Sequence, residues 1–201
     1  MAIAGYIATF FTFSALILEI FTLLASTYNQ PFIKDLNFVK FTLNDKFIAF
    51  GLWGYCQGLK GQVISCSTPA PGYIWSTAPN IGDFTTGLSG MDKVYFTNYI
   101  LYWIAFGITL GALASTVLGH FGRGIDLLAS LATFLCTLLM LVIFIIFLVV
   151  SLKGVNAARD ANPSAYGQLG YCIWMNLGAM VALLLGSLWY CFTCIFGPPK
   201  Q

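Results

Sequence analysis

The chain has 201 residues, of which 59% are hydrophobic and 8% charged, and its formal net charge is +2. Soluble domains run near 25% charged, so this composition excludes an ordinary water-soluble domain, and the small net charge offers no basic surface for nucleic acid. The apolar residues are gathered into long blocks, which makes the lipid bilayer the first partner implied.

The first block runs from about Ala2 to Thr27 with Glu19 as its only charge. A hydrocarbon core of about 30 Å takes about 20 helical residues, so this block spans. It lacks the basic n-region of a signal peptide and is too long for an h-region, which reads as a retained first helix. Glu19 lies past the middle of the block, roughly 7 Å from mid-membrane at 1.5 Å per residue. A carboxylate there is expensive, and two readings stand: a polar tie to a neighbouring helix, or part of an ion or proton pathway. Only Asn176, in the fourth block, is a comparable intramembrane polar group.

Residues from about Tyr28 to Asn98 form a long polar segment. Phe38–Leu43 is rich in strand formers, Asn44-Asp45 supplies turn chemistry, and Lys46–Gln57 resumes as a β-rich run. A second turn around Gly58-Leu59-Lys60-Gly61 leads into Gln62–Cys66, predicting a three-stranded antiparallel meander. Cys56 and Cys66 are symmetric about Gly61 and would face one another across the second hairpin, as a disulfide in an oxidising compartment. Just before them stands Gly51-Leu52-Trp53-Gly54-Tyr55, which reads as backbone packed tightly under a large buried indole. Residues 67–90 look irregular, and Met91–Asn98 reads as a helical extension of the next span.

The second span is predicted over about 99–118, with Gly107, Gly111, Ser115 and Gly119 at four-residue spacing, a smooth face for helix contact. His120, Arg123 and Asp126 follow in a short connection. A lone His without ligand partners suggests neither a metal site nor catalysis, and Arg123 with Asp126 reads as a loop ion pair. The third span covers about 127–152 and the fourth about 169–196, where Gly178, Ala182 and Gly186 repeat the small-residue spacing. Between them lies a second outer loop, about 153–168. Cys191 and Cys194, near the end of the fourth span, have the spacing of half a metal or redox site but no second pair. Palmitoylation or unmodified buried thiols are the readings left. The fold class expected is a mainly α membrane protein, a four-helix transmembrane bundle with a small antiparallel β-sheet in the first extracellular loop.

Four spans, a β-rich first outer loop and the Gly51-Leu52-Trp53-Gly54-Tyr55-Cys56…Cys66 run resemble the claudin superfamily. The run is closest to its fungal plasma-membrane members, the PalI-type and eisosome-associated proteins. The tryptophan that metazoan claudins carry earlier in the loop has no counterpart in Ser26–Gln30. The resemblance implies one claudin-like domain over 1–201, Leu52 and Trp53 anchoring the sheet on the outer helix ends, and a Cys56–Cys66 staple. It also implies residence in the plasma membrane with cytoplasmic termini. That orientation places Arg123 and Lys200 inside and the seven other basic residues outside, against the positive-inside rule. The disulfide, which needs the outer side, takes precedence.

No nucleotide loop, activated nucleophile or paired carboxylate is recognisable, so the chain reads as neither an enzyme nor a cofactor binder. The function expected is a plasma-membrane organiser or an accessory subunit of a larger membrane complex, in hetero- or homo-oligomers. The alternative is an ion channel or a regulator of ion (calcium) influx with Glu19 in the pathway.

Overall fold

The computed structural model describes residues 2–26, 30, 32–79, 88, 90–118 and 123–196. Four helices, α1 (Ala2–Leu23), α2 (Asp92–Leu118), α3 (Arg123–Ala161) and α4 (Tyr171–Phe196), are each long and apolar enough to cross a membrane. Five strands accompany them: β1 (Val39–Leu43), β2 (Lys46–Phe50), β3 (Tyr55–Leu59), β4 (Gln62–Cys66) and β5 (Ala165–Leu169). The protein is thus mainly helical, with one antiparallel sheet in the order β4-β3-β2-β1-β5.

Two expected boundaries are corrected. The sheet has five strands rather than three, because 46–57 is two strands broken at Gly51–Gly54 and because β5 comes from the loop after α3. That loop is also shorter than 153–168. Apolarity tracks the bilayer, not the end of the helix, and α3 continues through Lys153 and Arg159 to Ala161. Asn162-Pro163 stops it, since the residue before a proline is disfavoured in the α region. The Asn162 side-chain oxygen then accepts the Ser164 N–H at 3.0 Å and starts the turn into β5.

The chain sorts into two compact units. The helical unit holds residues 1–20, 101–142 and 176–201, and the sheet unit holds 21–100 and 143–175.

In the sheet unit, one face is Val39, Phe41, Ile48 and Phe50, all essentially inaccessible. It packs on α3 residues: the Phe41 ring lies against Gly154, and Gly167 of β5 against Val155. Trp75, 1% exposed, is the hub of the aromatic core. Its ring centroid lies 5.1 Å from Phe50, 5.3 Å from Tyr95 and 6.5 Å from Phe147, which in turn stacks on Phe38 at 3.8 Å. The two-residue turn between β3 and β4 uses Lys60 and Gly61, both at positive φ, the conformation that matches strand twist in tight hairpins.

In the helical unit, α2 turns Tyr102, Ala105, Thr109 and Ala112 inward, at the alternating three- and four-residue spacing of a bundle seam. α3 does the same with Ala129, Thr133, Cys136 and Met140. In both helices the buried stripe mixes hydroxyl, thiol and small residues, while Leu, Phe and Trp point outward, the pattern of a bundle solvated by lipid.

Candidate functional site

Each pair of neighbouring helices in the helical unit is joined by a buried polar side chain. α1 and α2 meet where the Thr109 hydroxyl donates to Glu19 Oε1 at 2.9 Å. α2 and α3 meet at the same hydroxyl, 3.2 Å from the Cys136 sulfur, while the Cys136 thiol donates to the Ala105 carbonyl at 3.3 Å. α3 and α4 are tied reciprocally, Ser130 Oγ to the Ser187 carbonyl and Ser187 Oγ to the Ser130 carbonyl, both at 3.2 Å. α4 and α1 close the ring through Thr12 and the Tyr190 hydroxyl at 3.4 Å.

Glu19 is wholly buried, and its second oxygen, Oε2, has no hydrogen-bond partner among the described residues. Asn176 is equally buried, and neither atom of its amide is hydrogen-bonded among the described residues. The α1–α4 contacts pair Leu18 with Gly178 and Thr12 with Gly186, so Asn176 and Glu19 stand at the same level of that seam. No hydrogen bond joins the two side chains. Among the described residues no group of three or more His, Cys, Asp or Glu could hold a metal ion. The chain's one histidine, His120, lies outside the described residues, as do the side chains of Arg123 and Asp126.

Gly178 and Gly186 sit in the α1–α4 seam, where an added Cβ would come within 3.3 Å of Leu18 and 3.2 Å of the Thr12 hydroxyl. Ala182, between them, is 9% exposed. Gly107 and Gly111 behave differently: they face outward into open space among the described residues, because the inward seam of α2 is the Tyr102–Thr109 stripe. Ser115 bonds back to the Gly111 carbonyl at 2.7 Å, and Gly119 lies outside the described residues.

In the sheet unit, the Gly51–Gly54 stretch is a hairpin turn closed by the Gly51 N–H on the Gly54 carbonyl at 2.8 Å. Two indoles fasten it. Trp53 donates to the Leu23 carbonyl at the end of α1 (2.6 Å) and meets the Tyr99 ring of α2 edge-on, and Trp75 donates to the Gly51 carbonyl (3.1 Å). The ring buried in the core is therefore Trp75, while Trp53 is only half-buried, a correction to the reading of a large buried indole in the motif. Leu52 is buried. Gly51 lies where any Cβ would strike the Ala25 carbonyl at 2.5 Å, and a Cβ on Gly54 would run into the Ser67 hydroxyl. Tyr55 pairs with Phe50 across the turn, and its N–H donates to the Ser67 hydroxyl.

Cys56 and Cys66 are register partners and form a disulfide. One residue of β4, Ile64, is the extra residue of a bulge there, since Gly58 pairs with Val63 and Gln57 with Ser65. Cys136 and Cys172 are buried free thiols, Cys191 is exposed and Cys194 half-exposed.

Sequence reasoning missed Thr109, Cys136, the Ser130–Ser187 pair and Trp75. For the first four the usable signal was a small polar residue repeated at three- and four-residue spacing within an apolar span. For Trp75 no local signal separates it from the irregular stretch around it.

This arrangement holds helices and strands together. Comparison with curated proteins finds no match. A family model described as SUR7/PalI family matches residues 4–186, which include nearly all of α1, the whole of α2, α3 and the sheet, and most of α4. The chain belongs to the SUR7/PalI family.

Proposed function

We propose that this protein is a non-catalytic, claudin-like plasma-membrane protein with cytoplasmic termini. It acts by contact, as a membrane organiser or as an accessory subunit of a larger membrane complex. The observation that carries the reading is the contrast between two small-residue faces. Gly178 and Gly186 are closed by α1, whereas Gly107 and Gly111 are open to the surroundings on a helix flanked by exposed Trp103, Ile104 and Leu110. Glycines let another helix backbone approach closely, which is how membrane helices associate when burial of apolar surface gives no advantage over lipid. Interior hydroxyls and thiols bond either backbone carbonyls or side chains of the neighbouring helix, which supports a bundle that serves as a scaffold.

Size-exclusion with light scattering in mild detergent, together with crosslinking in native membranes, tests this. The unaltered chain is expected in an assembly larger than one chain. Gly107→Leu with Gly111→Leu is expected to dissociate it while leaving the thermal unfolding of the released chain unchanged. A monomer that crosslinks to nothing rejects the contact reading. Ion flux in liposomes reconstituted with the purified chain, abolished by Glu19→Gln, replaces it with the transport reading.

A further inference from the structure

The last two turns of α4 hold two thiols that none of the contacts above use. Cys191 is exposed and Cys194 half-exposed, whereas Cys136 and Cys172 are buried. Cys191 stands on the outward stripe of the helix with Leu188, Phe192 and Ile195, which are 59%, 49% and 66% exposed. In a spanning helix that stripe lies against acyl chains. Trp189, next in the chain, is the kind of residue that collects at the membrane–water boundary.

Depth agrees. The first turn of α4 belongs to the sheet unit, where the Cys172 N–H donates to the Asn37 carbonyl at 3.0 Å. Twenty residues separate Tyr171 from Cys191, about 30 Å along a helix and about the thickness of the hydrocarbon core. Three candidate spans, α2, α3 and α4, lie between Cys66 and these thiols along the chain, an odd number of crossings, so the thiols reach the membrane side opposite the disulfide-bearing segment. Disulfides persist on the oxidising side, so Cys191 and Cys194 meet the reducing side, where thiols stay free.

We propose that Cys191 and Cys194 are acceptors for long-chain acyl groups, carried as thioesters at the membrane boundary. The donor is a fatty acyl–coenzyme A, delivered by a membrane acyltransferase. The deprotonated sulfur attacks the acyl carbonyl, the new carbon–sulfur bond to the cysteine forms, and the bond to coenzyme A breaks. Coenzyme A leaves as a thiolate that takes up the proton the cysteine gave, and no oxidant or metal enters. Acyl chains on these sulfurs continue the outward stripe of Leu188, Phe192 and Ile195 into the lipid, and buried thiols such as Cys136 and Cys172 are out of reach of the donor. Two chains hold a site at the membrane more firmly than one.

The full chain, extracted from cells beside a known acylated membrane protein, has its free thiols blocked and its thioesters cleaved with neutral hydroxylamine. The released thiols are then tagged with a maleimide polymer of fixed mass. Two hydroxylamine-dependent steps are expected, one of them lost in Cys191→Ser, the other in Cys194→Ser, and both in the double variant. Mass analysis of the carboxy-terminal peptide of the unaltered chain should show both acyl groups without relying on any variant. The proposal falls if the control is tagged and this chain is not, or if tagging survives in the double variant. A single step overturns it for the cysteine whose substitution leaves that step in place.

Discussion

In the helical unit every seam between neighbouring helices carries a side-chain hydrogen bond, whereas the sheet unit adds packed aromatic rings, a backbone ladder and one disulfide to its side-chain bonds. The surroundings explain the difference. Lipid tails are as apolar as leucine, so burying a leucine between two helices gains little over leaving it in the bilayer. Registry must come from polar bonds and close backbone approach, and Thr109, Ser130, Ser187 and Gly186 supply these. The outer side of a sheet meets water, where burying an aromatic ring removes about 150–250 Å² from solvent and decides which ring goes inside. Trp75 is the extreme case, with three aromatic neighbours and its N–H satisfied by Gly51.

The sharpest way to break this comparison is to remove that ring. Trp75→Ala should destabilise the sheet unit by about 3–5 kcal/mol, the range for a large buried aromatic. Trp53→Ala, which removes a half-buried ring and one hydrogen bond, should cost about 1–2 kcal/mol. Denaturant unfolding of the purified protein in detergent ranks the two. Equal losses would show that the motif's own tryptophan carries as much of the unit's stability as Trp75.

The disulfide comes next. Closing a loop over a sequence separation of 10 stabilises by roughly 3 kcal/mol in the chain-entropy account. Cys56→Ser with Cys66→Ser should therefore lower amide protection in β3 and β4, as should reductant added to the unaltered chain. Amides of α2 and α3 within the helical unit should keep theirs, as read by hydrogen exchange with mass spectrometry. Equal loss in both units would show that they unfold as one.

These expectations also indicate what could be read without a structure. Four spans follow from the length of apolar runs alone, and the pairing of Cys56 with Cys66 follows from their spacing, although it is the Ile64 bulge that brings them into register. The breaks inside the outer segment do not. Gly51–Gly54 resembles strand sequence until the Gly51–Gly54 bond makes it a turn, and β5 is recognisable only because β1 offers it an edge. The inward faces of the spans were equally hidden. In the part of α3 within the helical unit the leucines and phenylalanines face outward, so hydrophobicity does not point to the inside, and it is the small polar residues, Ser130, Thr133 and Cys136, that mark it. Gly107 and Gly111 show the converse: equal spacing in α2 and α4 led to opposite environments, because spacing defines a face but not what covers it.

The smallest effect concerns the carboxyl of α1. In membranes a side-chain hydrogen bond between helices averages about 0.6 kcal/mol and reaches about 1.7. A double-mutant cycle with Glu19→Leu and Thr109→Val, measured by unfolding in bicelles, should return a coupling in that range. Glu19→Gln keeps an oxygen in place to accept from Thr109 Oγ1 and should retain most of it. Protection of β3 and β4 should not change in any of these variants, because the bond belongs to the helical unit alone. If Glu19→Gln were as damaging as Glu19→Leu, an accepting oxygen would not be what the site requires. Glu19 would then leave the set of helix ties represented by Ser130 and Ser187 and join Asn176 as a group whose unpartnered atoms need another explanation.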